Sequence, residues 1–310
     1  MGKKIVVFGS YITDFTSRTP SFPVPGETII GSGFKMGPGG KASNQCIAAT
    51  KAGADAMFVT KLGKDTFGDY ARDYYLQQGF STEGFLYGDG AMTGAATITV
   101  NEKTGENMIV VVPGISLAYT AADMDFVKEK VKAADYLLIQ LEVSMYATKS
   151  IIQFAHENNI KIIFNPAPAV PLDVALLSKI RIITPNETEA SILTGIAVTE
   201  AEESVRAAAN KLHEMGIPQV IITLGEKGAF ASDGATSKFF PALQGIKVVD
   251  TTGAGDAFNG GFAAALAGGK SFFDAIQYGI ALSGLSVTKE GTAPSMPSQA
   301  EIEQVYQTLV

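Results

Sequence analysis

The residues that could do chemistry are most concentrated in one stretch near the end of the sequence, Val249 to Gly261, which reads Val-Asp-Thr-Thr-Gly-Ala-Gly-Asp-Ala-Phe-Asn-Gly-Gly. Its first glycines permit a positive φ or a close backbone approach, and the small and apolar residues after them predict a buried helix. The backbone N–H groups of Gly253, Ala254 and Gly255 would then lie free at the N-terminus of that helix. Free donors and the positive end of the helix dipole favour an anion there, such as a phosphoryl group.

The acidic residue in the same turn, Asp256, indicates what could happen to that anion. A carboxylate repels a neighbouring phosphoryl group, so its presence is reasonable if it takes a proton from a hydroxyl that attacks phosphorus. An alternative is that Asp256 only complements the dipole of the helix. The local sequence leaves both interpretations open.

The elements that would position this stretch alternate between strand and helix along most of the chain. This pattern predicts an α/β fold with a doubly wound, mostly parallel sheet and helices on both faces. Two segments rich in Pro and Gly, 11–36 and 93–112, predict a small separate β-sheet, and we expect residues 1–310 to form one domain. The predicted strands are Ile5–Phe8, Ala56–Thr60, Tyr136–Leu141, Lys161–Asn165, Ile180–Thr184, Gln219–Thr223 and a segment ending at Val249; the predicted helices are Ala42–Lys51, Phe67–Gln78, Ala147–Asn158 and Ala201–Met215.

Polar residues directly after predicted strands are candidates for a binding site, because ligands of a doubly wound sheet bind outside the carboxyl ends of its strands. Any one of these residues could by itself be a solvated loop residue. Their shared position favours a single site. The candidates are Asp14, Glu142, Asn186, Glu187, Glu189 and Asp256.

A second glycine-rich stretch, Gly37 to Gln45, reads Gly-Pro-Gly-Gly-Lys-Ala-Ser-Asn-Gln and opens a predicted helix. Its glycines let the backbone approach a compact ligand, and Lys41 and Asn44 face the same way because they are one helical turn apart. Lys and Asn side chains can hydrogen-bond several neighbouring hydroxyls. The alternative is a glycine-rich turn with Asn44 directed to solvent.

Composition limits the classes of function. The chain has 310 residues, of which 46% are hydrophobic, and a formal net charge of −7, with no run of basic residues beyond Lys3-Lys4. A small-molecule ligand is therefore expected, and a nucleic-acid partner is not. The one cysteine, Cys46, excludes an intrachain disulfide and fits a buried thiol in a reducing cytoplasm. No segment has the apolar length of a signal peptide or a membrane span.

Seven stretches, in order along nearly the whole chain, resemble the PfkB carbohydrate kinase family, and ribokinases in particular. Asp-Thr-Thr-Gly-Ala-Gly-Asp-Ala-Phe, from Asp250 to Phe258, resembles the C-terminal signature of the family, and Gly37 to Gln45 resembles its second motif. The other matching stretches are Pro23–Thr28, Gln140–Glu142, Asn165–Ala169, Thr184–Glu189 and Thr223–Gly228.

The resemblance implies a ribokinase-like fold in which the small β-sheet is a lid. It also implies an enzyme that transfers the γ-phosphoryl group of ATP to the 5-hydroxymethyl group of a pentose. Asp256 would be the base, and the amides of Gly253, Ala254 and Gly255 would stabilise charge on the transferred group. The residues that would hold the sugar hydroxyls are Asp14, Gly40, Lys41, Asn44 and Glu142.

The resemblance also implies two kinds of cation. Mg²⁺ would bridge the ATP phosphates, and a monovalent cation, K⁺, would lie beside the anion site on one Asp and several backbone carbonyls. Carbonyl ligands leave no residue signature, so Asp250 is the only cation ligand that the sequence can test. The implied ATP-binding residues are Asn186, Glu189, Thr223 and Gly225, and the implied K⁺ positions are Asp250, Thr252, Ser286, Gly291 and Ser295.

One residue departs from the ribokinase pattern. Ribokinases usually carry Gly-Ser-x-Asn-x-Asp after the first strand, whereas this chain reads Gly-Ser-Tyr-Ile-Thr-Asp and has Ile12 in the place of a sugar-binding Asn. A buried Ile cannot satisfy a hydroxyl, so the substrate is expected to lack a hydroxyl at that place. Deoxyribokinases have an apolar residue there, which makes 2-deoxy-D-ribose a close rival to D-ribose. The alternative is that Ile12 only packs against the lid.

Other functions remain open on the sequence alone. Fructokinases and nucleoside kinases belong to the same family, and a sugar or nucleotide sensor that has lost catalysis would keep the fold. The presence of Asp256 and of both anion-site glycines speaks against a sensor. Because ribokinases pair lid to lid and a small sheet needs its apolar face covered, we expect a homodimer formed through the lid.

Overall fold

The structure, a computed structural model, describes residues 2–310, which form one large and one small β-sheet. This arrangement, with helices on both faces of the large sheet, confirms the predicted fold class. The strands of the large sheet are β1 Ile5–Phe8, β4 Ala56–Gly63, β5 Phe85–Gly88, β8 Tyr136–Ile139, β9 Lys161–Phe164, β10 Ile182–Ile183, β11 Gln219–Thr223, β12 Ala229–Ser232 and β13 Ser237–Phe240. The small sheet contains β2 Ile12–Thr19, β3 Gly33–Gly39, β6 Gly94–Asn101 and β7 Asn107–Val112.

The large sheet has the order β13-β12-β11-β10-β9-β8-β1-β4-β5, and within the described chain only β12 runs against the others. Strand β1 is fully buried, and its alternate side chains enter two different apolar clusters. Ile5 and Val7 pack toward one layer of helices, while Val6 and Phe8 pack toward the other. A continuous apolar run is expected for a parallel strand that is covered on both faces.

In the part of the chain that the structure describes, two layers of five helices each cover the two faces of the large sheet. The layer against Ile5 and Val7 contains α1 Lys41–Lys51, α2 Thr66–Gln77, α8 Ala254–Ala267, α9 Phe272–Ser286 and α10 Gln299–Tyr306. The opposite layer contains α3 Ala121–Val131, α4 Met145–Glu157, α5 Val174–Leu177, α6 Glu187–Thr194 and α7 Glu202–Glu214. None of the helices in residues 2–310 combines the length and apolar character that crossing a bilayer requires.

The strand order reverses at β1, which pairs with β4 on one side and β8 on the other. From this point the chain winds outward in both directions, so a crevice opens at the carboxyl ends of β1 and β8. Ser10 follows β1, and Gln140 and Glu142 follow β8. The fold therefore places these polar residues beside one another.

The small sheet, which we call the lid sheet, has the order β3-β2-β6-β7 and continues directly from β1. Two contacts join it to the loop after α9. The Arg18 guanidinium pairs with the Glu290 carboxylate at 3.1 Å, and the Thr292 hydroxyl donates to the Pro38 carbonyl at 3.4 Å. The lid sheet thus lies across the edge of the crevice.

One local prediction, the strand ending at Val249, was wrong. Residues 241–250 contain no strand, because the N–H groups of Val249 and Asp250 both donate to the carbonyl of Val287, at 2.8 and 3.2 Å, instead of to a neighbouring strand. Val248 and Val249 are exposed, so their β-branched side chains do not mark a buried strand. Asp14 lies inside β2 of the lid sheet, within the segment 11–36 that was predicted to form that sheet.

Candidate active site

Helix α1 begins at Lys41 because Gly40 can turn the chain sharply at the end of β3. Gly40 has φ of 87°, and a Cβ on it would lie 2.9 Å from both the Ile12 nitrogen and the Ser10 oxygen. Only glycine fits this close approach comfortably. The first turns of α1 are consequently held against the carboxyl end of β1.

Helix α8 packs unusually closely on α1. A Cβ on Gly260 would lie 2.5 Å from the Ala48 Cβ and 2.6 Å from the Gln45 carbonyl oxygen, distances that a larger residue could not keep. The small residues of both helices therefore let the start of α8 meet the start of α1.

This contact places Asp256, on the first turn of α8, against two amide side chains of α1. Asn44 Nδ2 donates to Asp256 Oδ2 at 3.0 Å, and Gln45 Nε2 donates to Asp256 Oδ1 at 2.9 Å. Asp256 is only 6% exposed. Each carboxylate oxygen accepts one amide hydrogen and keeps a further lone pair for a substrate hydroxyl.

The turn before Asp256 has two of the three free amides that the sequence predicted. Gly253 caps α8 in a left-handed conformation, with φ of 78°. The Ala254 N–H donates to the Thr251 carbonyl at 3.1 Å, so it is not free. Within residues 2–310, the N–H groups of Gly253 and Gly255 have no protein acceptor. The correction leaves an anion site of two amides at the N-terminus of a long helix.

Glu142 lies at the same crevice and is held by two donors. Its Oε2 accepts from the Lys41 backbone N–H at 2.9 Å and from the Ser10 hydroxyl at 2.5 Å. The Asn44 Oδ1 is buried and has no protein partner among the described residues, so it is available to a ligand hydroxyl. Glu142, which follows β8, therefore lies against the start of α1, where Lys41 and Asn44 begin the helix.

Charges at this site change the acid–base behaviour of two side chains. Burial, followed by the nearby Glu142 and Asp256 carboxylates, raises the pKa of Asp14 to about 7. The Asp256 carboxylate raises the pKa of Lys41 against the opposing effect of burial, so this ammonium stays charged. The site therefore combines one fixed positive charge with several carboxyl groups.

Two cavities adjoin the turn at Gly253. One, of about 980 Å³, is lined by Asn186, Thr223 and Gly225 from the predicted nucleotide set and by Gly255. The other, of about 530 Å³, lies between the lid sheet and residues 248–252 and 290–294, and Asp14 lines it. The larger cavity therefore reaches the anion-site residue Gly255, and the smaller one reaches the lid sheet.

Asn186 and Glu189 bind each other as the cap of α6. The Glu189 N–H donates to Asn186 Oδ1 at 2.8 Å, and the Asn186 N–H donates to Glu189 Oε2 at 2.9 Å. Burial raises the pKa of Glu189, although the Asn186 N–H and the Lys41 charge oppose this effect. The second carboxylate oxygen of Glu189 is not used by this cap, and it is a hard ligand suited to Mg²⁺ or its water.

Asp250 contacts two of the other predicted K⁺ positions, Thr252 and Gly291. Its carboxylate accepts from the Thr252 N–H and the Gly291 N–H, both at 2.9 Å. Burial would raise the pKa of Asp250, but these hydrogen bonds hold it below its ordinary value. The Asp250 N–H binds Val287, next to Ser286, while Ser295 closes the short turn that follows Thr292. An ionised Asp250 carboxylate would supply one of the oxygen ligands of the predicted cation site.

Sequence reasoning missed a set of uncharged residues behind Asp256. Four of them follow strands of the large sheet, whereas the other two lie on α1 and α8. The strand-end rule, extended to every uncharged polar residue, would have found those four. The missed residues are Ser10, Gln45, Gln140, Asn165, Thr184 and Asn259.

Comparison with known proteins identifies the family. The model of the pfkB family carbohydrate kinases matches residues 2–299. The chain belongs to the pfkB family of carbohydrate kinases. This pfkB chain is 40% identical over 301 residues to a ribokinase of Haemophilus influenzae, covering 97% of each chain, and 35% identical over 306 residues to a deoxyribokinase of Salmonella typhi, covering 98% of each.

The fold of the pfkB chain is also that of solved relatives. It matches a ribokinase of Arabidopsis thaliana in complex with ribose and ATP with a TM-score of 0.89 and 28% identity, over 99% of each chain. The protein is therefore an ATP-dependent kinase that phosphorylates a sugar, as the sequence predicted. The alternative of a non-catalytic sensor is not supported.

Proposed function

We propose that this kinase phosphorylates the 5-hydroxymethyl group of D-ribose or 2-deoxy-D-ribose. The observation that carries the proposal is the position of Asp256, which is buried and held by two side-chain amides. Asp256 also directly follows the free backbone amides of Gly253 and Gly255 at the start of α8. A base beside an anion site is the arrangement that phosphoryl transfer to an alcohol requires.

In this proposal, the sugar lies between α1, Glu142 and the lid sheet, with its 5-hydroxyl at Asp256. Asp14, Asn44 and Glu142 bind the other hydroxyls, and Asp256 takes the proton of the attacking hydroxyl. The Gly253 and Gly255 amides and the Lys41 ammonium stabilise negative charge on the transferred group. ATP occupies the 980 Å³ cavity, where Asn186, Thr223 and Gly225 contact it.

Two cations complete the proposed site. Mg²⁺ would be held by the ATP phosphates, by water and by Glu189, and would neutralise charge on the phosphates. K⁺ would be held by Asp250 and by the carbonyls of Thr252, Ser286, Gly291 and Ser295. Since the Thr252 and Gly291 amides already bind Asp250, a cation there would order the loop that precedes the anion site.

The choice between the two sugars rests on Ile12. Its side chain is 2% exposed and belongs to an apolar cluster with Ala96 and Ile98 of the lid sheet. It also shares a face of β2 with Asp14, because the two residues are two positions apart on one strand. This placement supports either an apolar contact to a deoxygenated carbon or simple packing of the lid, so both sugars remain in the proposal.

We further propose that residues 1–310 act as one domain closed by the lid sheet, in a cytoplasmic homodimer. Strand β7 supports the dimer, because it lies at the edge of the lid sheet and exposes every residue from Asn107 to Val112. An apolar edge strand of this kind is a surface that another chain can cover. The sole cysteine, Cys46, is buried, as is common for a protein in a reducing compartment.

A panel of acceptors tests the proposed substrate. Purified enzyme, ATP and Mg²⁺ are combined with D-ribose, 2-deoxy-D-ribose, D-fructose or adenosine, and kcat/KM is measured by release of ADP. One of the two pentoses is expected to exceed fructose and adenosine by more than about tenfold, since misplaced hydroxyls leave buried polar groups unpaired. A preference for fructose or adenosine would assign the enzyme to another branch of the family.

A further inference from the structure

Behind Asp256, buried polar side chains form a closed chain of hydrogen bonds that begins and ends on α8. Gln45 Nε2 donates to Asp256 Oδ1 at 2.9 Å and to Asn165 Oδ1 at 3.0 Å, and Asn165 Nδ2 donates to the Thr184 carbonyl at 3.2 Å. The Thr184 hydroxyl then donates to Asn259 Oδ1 at 2.6 Å, and Asn259 Nδ2 donates to the Gly255 carbonyl at 2.9 Å.

The directions of these hydrogen bonds follow from two backbone carbonyls, which can only accept. Because the Thr184 carbonyl accepts from Asn165, the Asn165 oxygen must face Gln45. Gln45 must therefore present its NH₂ group to Asn165, and the same nitrogen carries the second hydrogen that reaches Asp256. Gln140 strengthens this orientation by donating to the Gln45 oxygen. The amide of Gln45 cannot rotate by half a turn without losing three partners.

The other end of the chain is fixed in the same way. The Gly255 carbonyl accepts from Asn259, so the Asn259 oxygen must face Thr184 and the Thr184 hydroxyl must donate to it. Thr184 thus joins Asn165, which holds Gln45, to Asn259, which holds the carbonyl of Gly255. Gln45, Thr184 and Asn259 are at most 1% exposed, so no solvent replaces these contacts.

We propose that Gln45 is a positioning residue that sets the orientation of the Asp256 carboxylate, with Asn165 fixing Gln45 in turn. This inference rests on the proposed function, in which Asp256 is the base. A carboxylate held at one oxygen only could rotate about its Cβ–Cγ bond, whereas donors at both oxygens fix its plane. The lone pair that receives the substrate proton then points in one direction, as efficient proton transfer requires.

A double-mutant cycle with Gln45→Met and Asp256→Asn tests this role. Met fills a similar volume but donates no hydrogen bond, so Gln45→Met is expected to lower kcat roughly 10–150-fold, the effect of one hydrogen bond to a charged group. KM for sugar should change less than about threefold, because Gln45 acts through the base and not on the sugar. In the Asp256→Asn background, adding Gln45→Met should lower kcat by less than about threefold further.

A matched control distinguishes positioning from general damage to α1. Ser43 lies on the same helix, is fully buried and bonds the Tyr75 hydroxyl at 3.0 Å, away from Asp256. Ser43→Ala should therefore leave kcat near the wild-type value. If Gln45→Met does not fold, Asn165→Ala replaces it, with an expected loss in kcat of roughly 2–13-fold that again disappears in the Asp256→Asn background.

The outcomes separate this inference from the proposed function. Losses that multiply in the double variant, or a Gln45→Met enzyme with kcat within about threefold of wild type, would overturn the positioning role while leaving Asp256 as the base. If Asp256→Asn alone keeps the kcat of the wild type, the assignment of Asp256 as the base is overturned, and the positioning role of Gln45 with it. A loss from Gln45→Met that vanishes with Asp256→Asn supports both.

Discussion

At the scale of single residues, the Asp14 carboxyl is surrounded by groups that favour its neutral form. Burial and the Glu142 and Asp256 carboxylates raise its pKa to about 7, above the ordinary value of 3.8. Between these two values the folded state binds more protons than the unfolded state, so the free energy of unfolding falls as pH rises. Asp14 is thus expected to destabilise the ligand-free protein most above pH 7.

This effect can be measured by denaturant unfolding of the ligand-free enzyme between pH 5 and pH 8. The contribution of Asp14 should reduce stability as pH rises through this range, and Asp14→Asn should make the decline shallower because the amide does not titrate. Identical slopes for the wild type and Asp14→Asn would show that Asp14 ionises normally. Glu27→Gln, in the exposed loop between β2 and β3, serves as a control.

Ile12 decides how the enzyme discriminates between the two proposed sugars. If Ile12 contacts the sugar, Ile12→Asn adds a donor and an acceptor and should shift relative kcat/KM toward D-ribose by roughly 2–13-fold, the effect of one neutral hydrogen bond. The measurement is the ratio of kcat/KM for D-ribose and 2-deoxy-D-ribose in both enzymes. An unchanged ratio in a folded, active variant would make Ile12 a packing residue of the lid sheet.

The sequence pointed to the charged candidates more readily than to the uncharged residues behind them. Glu142 could be proposed because it follows a strand, at the sheet edge where ligands bind, and Asp256 because it follows a glycine-rich turn at a helix N-terminus. Gln45 and Asn165 could not be assigned a role, since their partners are distant in sequence and an amide has many structural uses. The Ala254 amide was wrongly expected to be free because the Thr251 carbonyl that accepts from it depends on the detailed shape of the turn.

At the scale of elements, the close contact between α1 and α8 brings Asn44 and Gln45 to Asp256. A methyl group on Gly260 would meet the Ala48 Cβ at 2.5 Å and the Gln45 carbonyl at 2.6 Å. Gly260→Ala should force the helices apart and lower the free energy of unfolding by about 1–3 kcal/mol, as overpacking does. It should also lower kcat, because the donors move away from the base.

A second glycine of the same helix provides the control for this prediction. Gly268 follows the last turn of α8 with a φ of −72°, and a Cβ there would come no closer than 3.4 Å to another atom. Gly268→Ala should leave stability and kcat nearly unchanged. If Gly260→Ala were equally harmless in thermal unfolding and in turnover, the close helix contact would not be what positions the site.

The sequence predicted elements where a periodic pattern coincided with burial. Strand β1 and helix α1 agree with prediction to within one residue because their apolar residues are buried in the expected pattern. The strand expected before Asp250 is absent, since Val248 and Val249 have the composition of a strand but are exposed. Propensity alone could not reveal that the Val249 N–H donates to the carbonyl of Val287, which follows α9 almost 40 residues later in the sequence.

At the scale of the whole molecule, the exposed edge of the lid sheet predicts how two chains assemble. Val110 and Val111 point to opposite faces of β7 and are 65% and 45% exposed. Wild-type protein should sediment as a dimer at micromolar concentration, and Val110→Lys with Val111→Lys should produce a monomer, because burying unpaired lysines is unfavourable. Ile192→Lys, at an exposed position of α6, should remain dimeric. A monomeric wild type would contradict assembly through the lid.

The measurement that most directly tests the account is turnover by Asp256→Asn with saturating ATP, Mg²⁺ and the preferred pentose. The amide keeps the shape of the side chain but cannot accept the proton, so kcat should fall roughly 10²–10⁴-fold while the thermal unfolding midpoint and ATP binding stay close to wild type. The reference is the kcat of the wild type, which should form ADP and sugar 5-phosphate in equal amounts. A folded Asp256→Asn enzyme that retains more than about half of the wild-type kcat would contradict base catalysis at this site.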